Sequence, residues 1–446
     1  MAKKTKDSNL SLEERLEQAL IPNWAEPYKL PPNWCWINLK SVLRHQSGNS
    51  KLIKGRLASE KKDGLYDAYS ASGQDVYTES YEHEGDAIIV SAVGARCGKA
   101  FLASGKWSAI ANTHIIYSND RLLDIRYLHY VLNDESWWVK SGSAQPFVVV
   151  NESLLRPFAL PPLQEQQRIV SRIESMFTKL DEAKEKAQEV VDGFETRKAA
   201  ILHKAFSGEL TAKWREENHI DQNWSLTSLE KIAERIFDGP FGSNLKSEDY
   251  VSSGIRVVRL ENLKNLWFDD SKQSFVSREK YDTIAKHTVY PSDLIMSTFI
   301  SDETKVCQMP KHIPYAINKA DCIAIRLKSD VNKRFVLYYL SSKFVFDTLQ
   351  NQIHGATRPR VNSKQIKSIA IKMPSVSEQN EIVRILDRMY DSELKAIETA
   401  EAVIEQIDTM KKAILVRAFR GELGTNDPSE ESAVELLKKV LSGGEN

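Results

Sequence analysis

The sequence predicts an α+β protein in which two globular domains alternate with two long helices. Three observations lead to this prediction. A segment of 50 residues occurs twice at a constant offset of 213 residues, both copies carry an apolar heptad pattern, and short strand-like runs precede each copy. An antiparallel pairing of the two helices would relate the two halves of the chain by a pseudo-two-fold axis.

The repeat covers residues 161–210 and 374–423, which align without a gap. Twenty of the 50 positions are identical, including a Glu-Gln pair near each start and the Gly-Glu-Leu ending. Chance does not produce 40% identity over an ungapped segment of this length. The chain therefore arose by duplication, although the globular parts have diverged much further than the helices.

Each copy of the repeat predicts one long helix with a narrow apolar stripe. The stripe follows a 4-3 spacing for nearly five heptads and ends at Gly208 or Gly421, residues that terminate helices. The 43 residues from Gln164 to Phe206 would extend about 64 Å. We expect the two stripes to pair with each other; two separate four-helix bundles are the alternative. The predicted seam comprises Ile169, Ile173, Met176, Leu180, Val190, Phe194 and Ile201, and Ile382, Leu386, Met389, Val403, Ile407, Met410 and Ile414.

Two seam positions carry opposite charges instead of apolar side chains. Arg197 occupies one in the first copy and Glu393 occupies one in the second. We hypothesise that they meet and help to fix the register of the helix pair. Simple centring of the two helices would, however, place them about one heptad apart.

The globular segments contain short runs that alternate with Gly, Ser and Asn. Strands are predicted at Ala87–Val90, His114–Tyr117, Gly254–Val258 and Cys322–Leu327, and amphipathic helices at Arg126–Leu132 and Lys333–Leu349. The predicted division of the chain is an N-terminal extension (1–26) with a short helix at Leu12–Leu20, a first globular domain (27–160), a helix and linker (161–221), a second globular domain (222–373), a second helix (374–423), and an acidic tail (424–446) with a short helix at Ala433–Leu441.

Charge and composition exclude several classes of protein. The 61 basic and 61 acidic residues cancel, so a uniformly basic nucleic-acid coat is excluded. Locally, residues 27–150 hold 14 basic against 12 acidic residues, and residues 222–363 hold 20 against 16. There is no run of 18 apolar residues and no secretory signal, so we expect a cytoplasmic protein without a membrane span. The four cysteines form no C-x-x-C pair.

The sequence contains none of the common catalytic motifs. The segment Gly94–Ala100 resembles a P-loop but has three residues between its glycines and an alanine where Mg²⁺ needs a hydroxyl group. G-x-S-x-G, H-E-x-x-H and G-x-G-x-x-G do not occur, and the nine histidines form no evident metal cluster. The chain is therefore expected to be non-catalytic and to hold no cofactor or metal of its own.

The arrangement of two globular segments that alternate with two long helices resembles the specificity subunit of type I restriction-modification systems. The resemblance is carried by Leu160–Gln166 at the start of the first helix, its counterpart Met373–Gln379, and Ala205–Arg215 at the close of the first half. It implies two target-recognition domains that each read one half of a bipartite, asymmetric site in double-stranded DNA. The helix pair would set the gap between the halves.

The resemblance also implies partners. Two methyltransferase (modification) subunits would dock on the helices, and motor-nuclease (restriction) subunits would join them in a system for phage defence. S-adenosylmethionine, ATP and Mg²⁺ would bind those partners, which would perform adenine-N6 methylation and ATP-dependent cleavage. The alternative is a non-catalytic coiled-coil adaptor with two protein-binding domains.

Polar and basic loop residues are the candidates for DNA contacts. Arginine on a Gly/Pro-shaped loop suits bidentate bonds to guanine or phosphate, and glutamine suits adenine. Gln145, in Ser143–Pro146, occupies a place equivalent to that of Arg358, in Ala356–Pro359. The full set of DNA-binding candidates is Ser70, Ser72, Gln74, Arg96, Lys99, Gln145, Lys246, Arg256, Arg259, Asn262, Thr357, Arg358 and Arg360.

Overall fold

The computed structural model describes residues 10–221, 223–353 and 360–443. It divides the chain into two compact units. The first unit combines Met1–Lys186 with Val403–Asn446, and the second unit is Ala187–Ala402. Each unit therefore holds one globular domain together with parts of both long helical segments, as a duplication with antiparallel helices requires.

Two four-stranded sheets form the globular domain of the first unit. The elements are α1 (Leu12–Ala19), β1 (Cys35–Asn38), β2 (Arg44–Ser47), β3 (Tyr66–Ser70), β4 (Gly73–Thr78), β5 (His83–Glu84), β6 (Ala87–Ser91), β7 (Ala100–Ala103), β8 (Lys106–Ala109), β9 (Thr113–Tyr117), α2 (Ile125–Leu132), β10 (Lys140–Ser141), β11 (Phe147–Val148), α3 (Val150–Ser153) and β12 (Pro157–Leu160). The sheet orders are β2-β9-β6-β7 and β4-β3-β8-β5, and β3 and β8 run parallel. A small antiparallel pair, β1 with β12, closes the base of the domain.

The central strand β6 shows why its sequence is continuously apolar. Ile88 and Val90 belong to the core shared with α2, whereas Ile89 faces a second core between the two sheets. Successive side chains of a strand point to opposite faces, so a strand buried on both sides needs apolar residues at every position. The strands and the helix predicted for this domain are confirmed, with bounds that differ by one residue or less.

The long helical segment of the first copy is broken. It consists of α4 (Leu163–Asp192) and α5 (Phe194–Ser207), followed by α6 (Ala212–Glu217). The expectation of one uninterrupted helix from Gln164 to Phe206 was wrong. The break is at Gly193, where a Cβ atom would collide with the guanidinium group of Arg197. That group donates a 2.8 Å bond to the carbonyl oxygen of Val190, so the glycine makes room for a side chain that caps the break.

The globular domain of the second unit has the same topology. Its elements are β13 (Ser225–Ser228), α7 (Leu229–Ile232), β14 (Ala233–Asp238), β15 (Tyr250–Val251), β16 (Ile255–Val258), β17 (Phe275–Val276), α8 (Arg278–Ile284), β18 (Thr288–Val289), β19 (Leu294–Ser297), β20 (Val306–Gln308), β21 (Ala316–Asn318), β22 (Cys322–Leu327), α9 (Lys333–Leu340), α10 (Lys343–Gln350), α11 (Ser363–Lys367) and β23 (Ala370–Met373). The orders β14-β22-β19-β20 and β15-β17-β16-β21-β18 repeat those of the first domain, with β15 added and β16 parallel to β21.

This shared topology extends the duplication to the globular domains. The pair β13 and β23 closes the base, as β1 and β12 do in the first unit. The predicted strands are confirmed here too, but the single helix predicted over Lys333–Leu349 was wrong. It is two helices, α9 and α10, separated at Ser341 and Ser342, whose hydroxyl groups bond to carbonyl oxygens one turn earlier.

The second long helix, α12 (Val376–Phe419), is uninterrupted, and α13 (Ala433–Ser442) follows it. Ion pairs define its direction within each unit. In the first unit Asp181 pairs with Lys411 and Lys184 with Asp408 at 2.7 Å, so the numbering rises along one helix as it falls along the other. In the second unit, the pair Arg197–Glu393 and the bond from Thr211 to Glu378 follow the same rule. The antiparallel arrangement is confirmed in both units.

Some of the predicted seam positions are fully buried and others only partly. Ile169, Ile173, Ile382, Leu386 and Ile407 are buried. Met410 was predicted to lie in the seam, and this was wrong because its side chain is 49% exposed. The next residue, Lys411, turns toward α4 instead, with its ammonium group 4.9 Å from the ring centroid of Phe177.

The repeated Glu-Gln pair fastens the start of each long helix to a distant part of its unit. In the first unit Glu165 accepts bonds from Thr425 (2.7 Å) and Arg168 (2.8 Å), and Arg168 also pairs with Glu430. Burial raises the pKa of Glu165. A buried carboxylate needs such partners to offset its lost hydration, which explains why this glutamate occurs in both copies.

In the second unit Glu378 holds the equivalent place. It accepts bonds from Thr211 at 2.7 Å and from the indole nitrogen of Trp224 at 3.1 Å, and it pairs with buried Arg215. The segment after α5 thus returns to the start of α12, as the segment after α12 returns to the start of α4. The two cross-links are the same construction made twice.

The first and last helices of the described residues, α1 and α13, pack together within the first unit. The guanidinium group of Arg15 on α1 donates a 3.2 Å bond to the carbonyl oxygen of Leu441 on α13, and Leu16 and Leu437 share one core. Ser11 and Glu14 form a capping box that starts α1. Both short helices predicted near the ends of the sequence are confirmed, and the acidic tail is folded into the unit as far as the structure describes it, to residue 443.

The pairing of Arg197 with Glu393, hypothesised from the sequence, is present. The guanidinium group donates three bonds of 2.8–3.1 Å to the carboxylate, and the two side chains are 38% and 22% exposed. A double-mutant cycle with R197A and E393A, measured by denaturant unfolding, should give a measurable favourable coupling energy, because the pair is multidentate. The more exposed pair Lys184–Asp408 provides the control and should couple more weakly. Equal coupling in the two cycles would contradict a special role for Arg197.

Candidate nucleic-acid interface

Two loops lie side by side at one end of the first domain. One connects β6 to β7 and the other connects β10 to β11. The amide of Gly94 donates to the carbonyl oxygen of Pro146 at 2.9 Å, and the amide of Val148 donates to Ala92 at 2.9 Å. Gly94 and Gly98 have φ of +102° and +93°, and a Cβ atom at Gly98 would lie 2.8 Å from the ring of Trp138. The glycines that first suggested a P-loop therefore shape a tight loop.

A third segment, the turn between β3 and β4, adjoins these loops. Gly73, which follows this turn at the start of β4, has a φ of +116° and lies beside the ring of Phe101. The ammonium group of Lys99 lies 5.6 Å from the centroid of that ring. The structure thus brings together the segments that carry the predicted residues Ser72, Gln74, Arg96, Lys99 and Gln145. All of these are exposed except Lys99, which is partly exposed.

The second domain repeats this arrangement of loops held by backbone hydrogen bonds, which we call the interface frame. The amide of Thr298 donates to Asp321 at 2.9 Å, and the amide of Val361 donates to Thr298 at 2.8 Å. In the first domain the matching bonds run from Ala92 to Asn112 and from Val148 to Ala92. Asn112 and Asp321 both have positive φ, 64° and 79°, so even the unusual backbone conformation is repeated.

Arg360 lies on the second domain's version of this surface. Its guanidinium group pairs with Asp321 at 2.7 Å and lies 4.2 Å from the ring centroid of Phe299, and its side chain is 54% exposed. An arginine held between a carboxylate and a ring is oriented in advance and still has donors directed outward. The predicted contacts Thr357 and Arg358 lie outside the described residues.

Lys305 belongs to this surface and was missed in the sequence. Its carbonyl oxygen accepts from the amide of Ser297 at 2.8 Å, just as that of Lys99 accepts from Ser91 at 2.9 Å. The signal was present as a shared Ser-x₇-Lys spacing. It was overlooked because the likeness of Gly85–Ile88 to Ser292–Ile295 suggests a register one residue away from the structural one.

Comparison with known proteins identifies what this frame belongs to. The family model described as "Type I restriction modification DNA specificity domain" matches residues 31–191 and 228–406, which is most of the chain. The chain belongs to this family of type I specificity subunits. The resemblance inferred from the repeated helices is confirmed, and so is the fold class.

Individual relatives agree with the family assignment. The specificity subunit of the type I restriction enzyme EcoDI from Escherichia coli is 23% identical over 451 residues, covering 92% of this chain and 95% of the relative. That of EcoKI, also from E. coli, is 24% identical over 297 residues, or 63% and 62% of the two chains. As a specificity subunit, the chain is a non-catalytic component that recognises DNA and assembles with other restriction-modification subunits.

Solved structures share the fold. A chain from a structure concerned with assembly of the type I R-M system has a TM-score of 0.65 at 17% identity, covering 89% of this chain and all of that one. The HsdS subunit from Thermoanaerobacter tengcongensis has a TM-score of 0.55 at 18% identity, covering 89% and 99%. No helix in the described part of this specificity subunit is long and apolar enough to cross a membrane.

Several predicted DNA contacts are engaged inside the specificity subunit. Ser70 is buried and accepts a bond from the amide of Ser72. Asn262 is buried and donates to the carbonyl oxygens of Asp269 and Lys272, which folds the segment between β16 and β17. These side chains have little capacity left for a base, and their placement favours a structural role.

Arg256 is likewise mostly buried. Its guanidinium group bonds to Asp270 at 2.6 Å beside a cleft of about 320 Å³, and burial lowers its pKa. Arg259 is partly exposed and contacts Ser274 and Glu261. Lys246 is exposed next to Glu248, on a loop between β14 and β15. No hydrogen bond connects these three to the frame around Lys305 and Arg360 in the described residues.

The exposed side chains of this interface suit contact with an anionic partner. Among the residues that the structure describes, no group of His, Cys, Asp or Glu could hold a metal ion. All four cysteines are buried. Burial raises the pKa of the Cys35 and Cys307 thiols to about 12, which keeps them in the unreactive protonated form. Ammonium, guanidinium and amide groups supply hydrogen bonds and charge to a polyanion.

The equivalent positions of Lys99 and Lys305 lead to a matched prediction. K99A and K305A should each weaken DNA binding on all sequences alike and reduce the slope of log K against log[salt] by about 1, as expected if each ammonium group contacts a phosphate. The measurement is a salt titration of binding by the assembled complex. K213A on α6 is the control, because Lys213 is 87% exposed but distant in sequence from the loops. An unchanged slope in K99A and K305A would remove these lysines from the interface.

Proposed function

We propose that each recognition domain of this specificity subunit binds one half of a bipartite, asymmetric site in double-stranded DNA. The antiparallel helices set the number of base pairs between the halves. Two methyltransferase subunits dock on the repeated scaffold, and motor-nuclease subunits join that core in the cytoplasm. The complex then methylates adenine at N6 or cleaves unmethylated DNA with ATP.

The observation that carries this proposal is one frame presented twice with different side chains. Both domains place equivalent loops beside Lys99 or Lys305 through the same backbone bonds. The loop between β6 and β7 reads Ala92–Lys99 with two glycines of positive φ, whereas its counterpart from Thr298 contains no glycine. Base sequence is read by side chains at base edges, so two such surfaces select two different half-sites.

The repeated cross-links support the docking of two identical partners. Glu165 with Thr425 and Glu378 with Thr211 form the same construction in the two units, each with an arginine and a 2.7 Å bond from a threonine hydroxyl group. Glu165 and Glu378 are themselves buried, but the surfaces around them recur with the same pseudo-symmetry, and a surface that occurs twice can bind the same subunit twice. In this proposal the catalytic chemistry belongs to the methyltransferase and motor-nuclease subunits, which bind S-adenosylmethionine, ATP and Mg²⁺.

A genome-wide map of N6-methyladenine tests the proposal. It compares a host that carries this gene and the methyltransferase gene beside it with the same host lacking this gene. Loss of one bipartite motif on deletion is the expected result, and it also reveals the site. An unchanged map from a methyltransferase that copurifies with this chain would contradict the proposal. Without copurification, the chain would be an adaptor for other proteins.

A further inference from the structure

The two recognition domains differ most in the connection that follows the first strand of the parallel pair, which is β3 in the first domain and β16 in the second. In the first domain β3 and β4 are joined by a turn of two residues, Ala71 and Ser72. In the second domain β16 and β17 are joined by residues 259–274. Because the two domains otherwise share their topology, this insertion distinguishes them at a place where the first domain presents predicted DNA contacts.

The inserted segment is a compact hairpin whose turn is buried. Leu263 and Phe268 form a β-bridge, and the amide of Lys264 donates to Trp267 at 3.2 Å. The turn between them consists of Asn265 and Leu266, which are 6% and 9% exposed. A hairpin usually exposes its turn to solvent, whereas the turn of this hairpin faces the protein interior.

The turn is anchored next to the interface frame. The amide of Leu266 donates to the carbonyl oxygen of Val306 at 2.8 Å, and the side chain of Asn265 donates to Thr304 at 3.0 Å. Thr304 and Val306 flank Lys305, the counterpart of Lys99. In the first domain the shorter turn lies near the counterpart strand β7, with Gly73 beside the ring of Phe101. The hairpin therefore lies beside the same surface as its counterpart.

This anchoring leaves one large side chain in solvent. In the stretch from Arg259 to Asp270, which the structure describes in full, Trp267 is the most exposed residue, at 55%. Leu266 has a φ of +71°, a conformation that residues other than glycine rarely adopt. Burial of the leucine side chain holds the turn in this conformation, which sets the backbone position from which the indole of Trp267 extends.

We propose that Trp267 is a specificity-determining residue, whose indole packs against the edge of a base in the half-site bound by the second domain. The contact is apolar, with the thymine methyl group in the major groove as the chemistry that fits it. A rigid aromatic side chain loses little entropy on binding. The basic side chain of Lys305, beside the anchor of the hairpin, would hold the phosphate backbone close. This inference rests on the proposed function, since it requires DNA at this surface.

The test uses the complete complex with its methyltransferase and duplexes carrying the motif found by methylation mapping. Each thymine in the second half-site is replaced in turn by deoxyuridine, which removes one methyl group. Wild-type protein should bind one of these duplexes several-fold more weakly. W267A should bind the unmodified duplex roughly tenfold more weakly and should be insensitive to the same uridine replacement, because the two partners of one contact are not additive. Methylation by wild-type protein shows independently that the proposed function holds.

Matched variants separate the competing outcomes. W24A is the control, because Trp24 is 88% exposed but lies in the N-terminal extension, and it should behave as wild type. W267F should retain most of the affinity. Equal weakening of W267A on every duplex, sensitivity of W267A to uridine at the same position, or failure of W267A to assemble with the methyltransferase would each overturn the inference, the last by assigning Trp267 to a protein interface.

Discussion

Replacing residues 229–369 with the equivalent segment of a relative is expected to change one half of the methylated motif and leave the other half and the spacer unaltered. The segment begins and ends at the base of the second domain, where the amide of Leu229 donates to the carbonyl oxygen of Ile369 at 2.9 Å. The pair β13 and β23 stays with the host chain and presents the same attachment to either domain. Methylation mapping measures the outcome.

The expected effect is large because specific and non-specific DNA binding differ by factors on the order of 10³–10⁷. Methylation at the original motif should fall to background while a new motif appears that keeps the unexchanged half. The reciprocal exchange of residues 39–156, inside the pair β1 and β12, should alter the opposite half. A change in both halves from one exchange would contradict independent reading by the two domains.

Packing of the second domain on the helices sets one condition on this exchange. Arg334 and Tyr338 of α9 both bond to Asp387 of α12, and Phe335 packs against Phe206 of α5. A donor that lacks these side chains could fail to fold for reasons unrelated to DNA. A second chimera that retains α9 of this chain, exchanging residues 229–332 and 341–369, keeps these contacts and separates a folding defect from altered recognition.

The sequence predicted the helices and the duplication well because the apolar heptad is a local property. Each turn of Leu163–Asp192 or Val376–Phe419 repeats the same signal, and an ungapped match over 50 positions needs no knowledge of distant contacts. The break at Gly193 was not visible in this pattern. It depends on where the guanidinium group of Arg197 goes, and that is set by Glu393, which lies 196 positions away in the chain.

The common topology of the globular domains could not be predicted from the sequence, because it too depends on contacts between residues that are far apart in the chain. Strands of two to six residues pair with partners far along the chain, and the parallel pairs β3–β8 and β16–β21 have no local signature. Among the interface residues, those in glycine-shaped loops were predicted from turn chemistry. Ser70, Arg256 and Asn262 show the limit of that approach, since a polar residue serves equally well to hold a loop together.

Lengthening both long helices tests whether they set the spacer, and DNA helicity sharpens the test. Insertions after Lys186 and after Ala402 fall at the boundary of the two compact units on both helices, so matched insertions keep the antiparallel seam in phase. One heptad adds about 10.5 Å, or roughly three base pairs, and three heptads add about 31.5 Å, close to one duplex turn of 34–36 Å. Heptads drift by only about 20° each relative to the seam.

The response to length should therefore not be monotonic. One heptad displaces the domains along the duplex by roughly three base pairs, over which the groove turns by about 100°, so methylation should be nearly abolished at every spacing. Three heptads bring the groove almost back to its original face, and methylation should return at a motif with the same halves and a spacer about nine base pairs longer. Insertion into α12 alone, which puts the Arg197–Glu393 and Lys184–Asp408 pairs out of register with each other, should prevent assembly. Methylation of the original motif by the three-heptad variant would show that the DNA half-sites are positioned by something other than the helix pair.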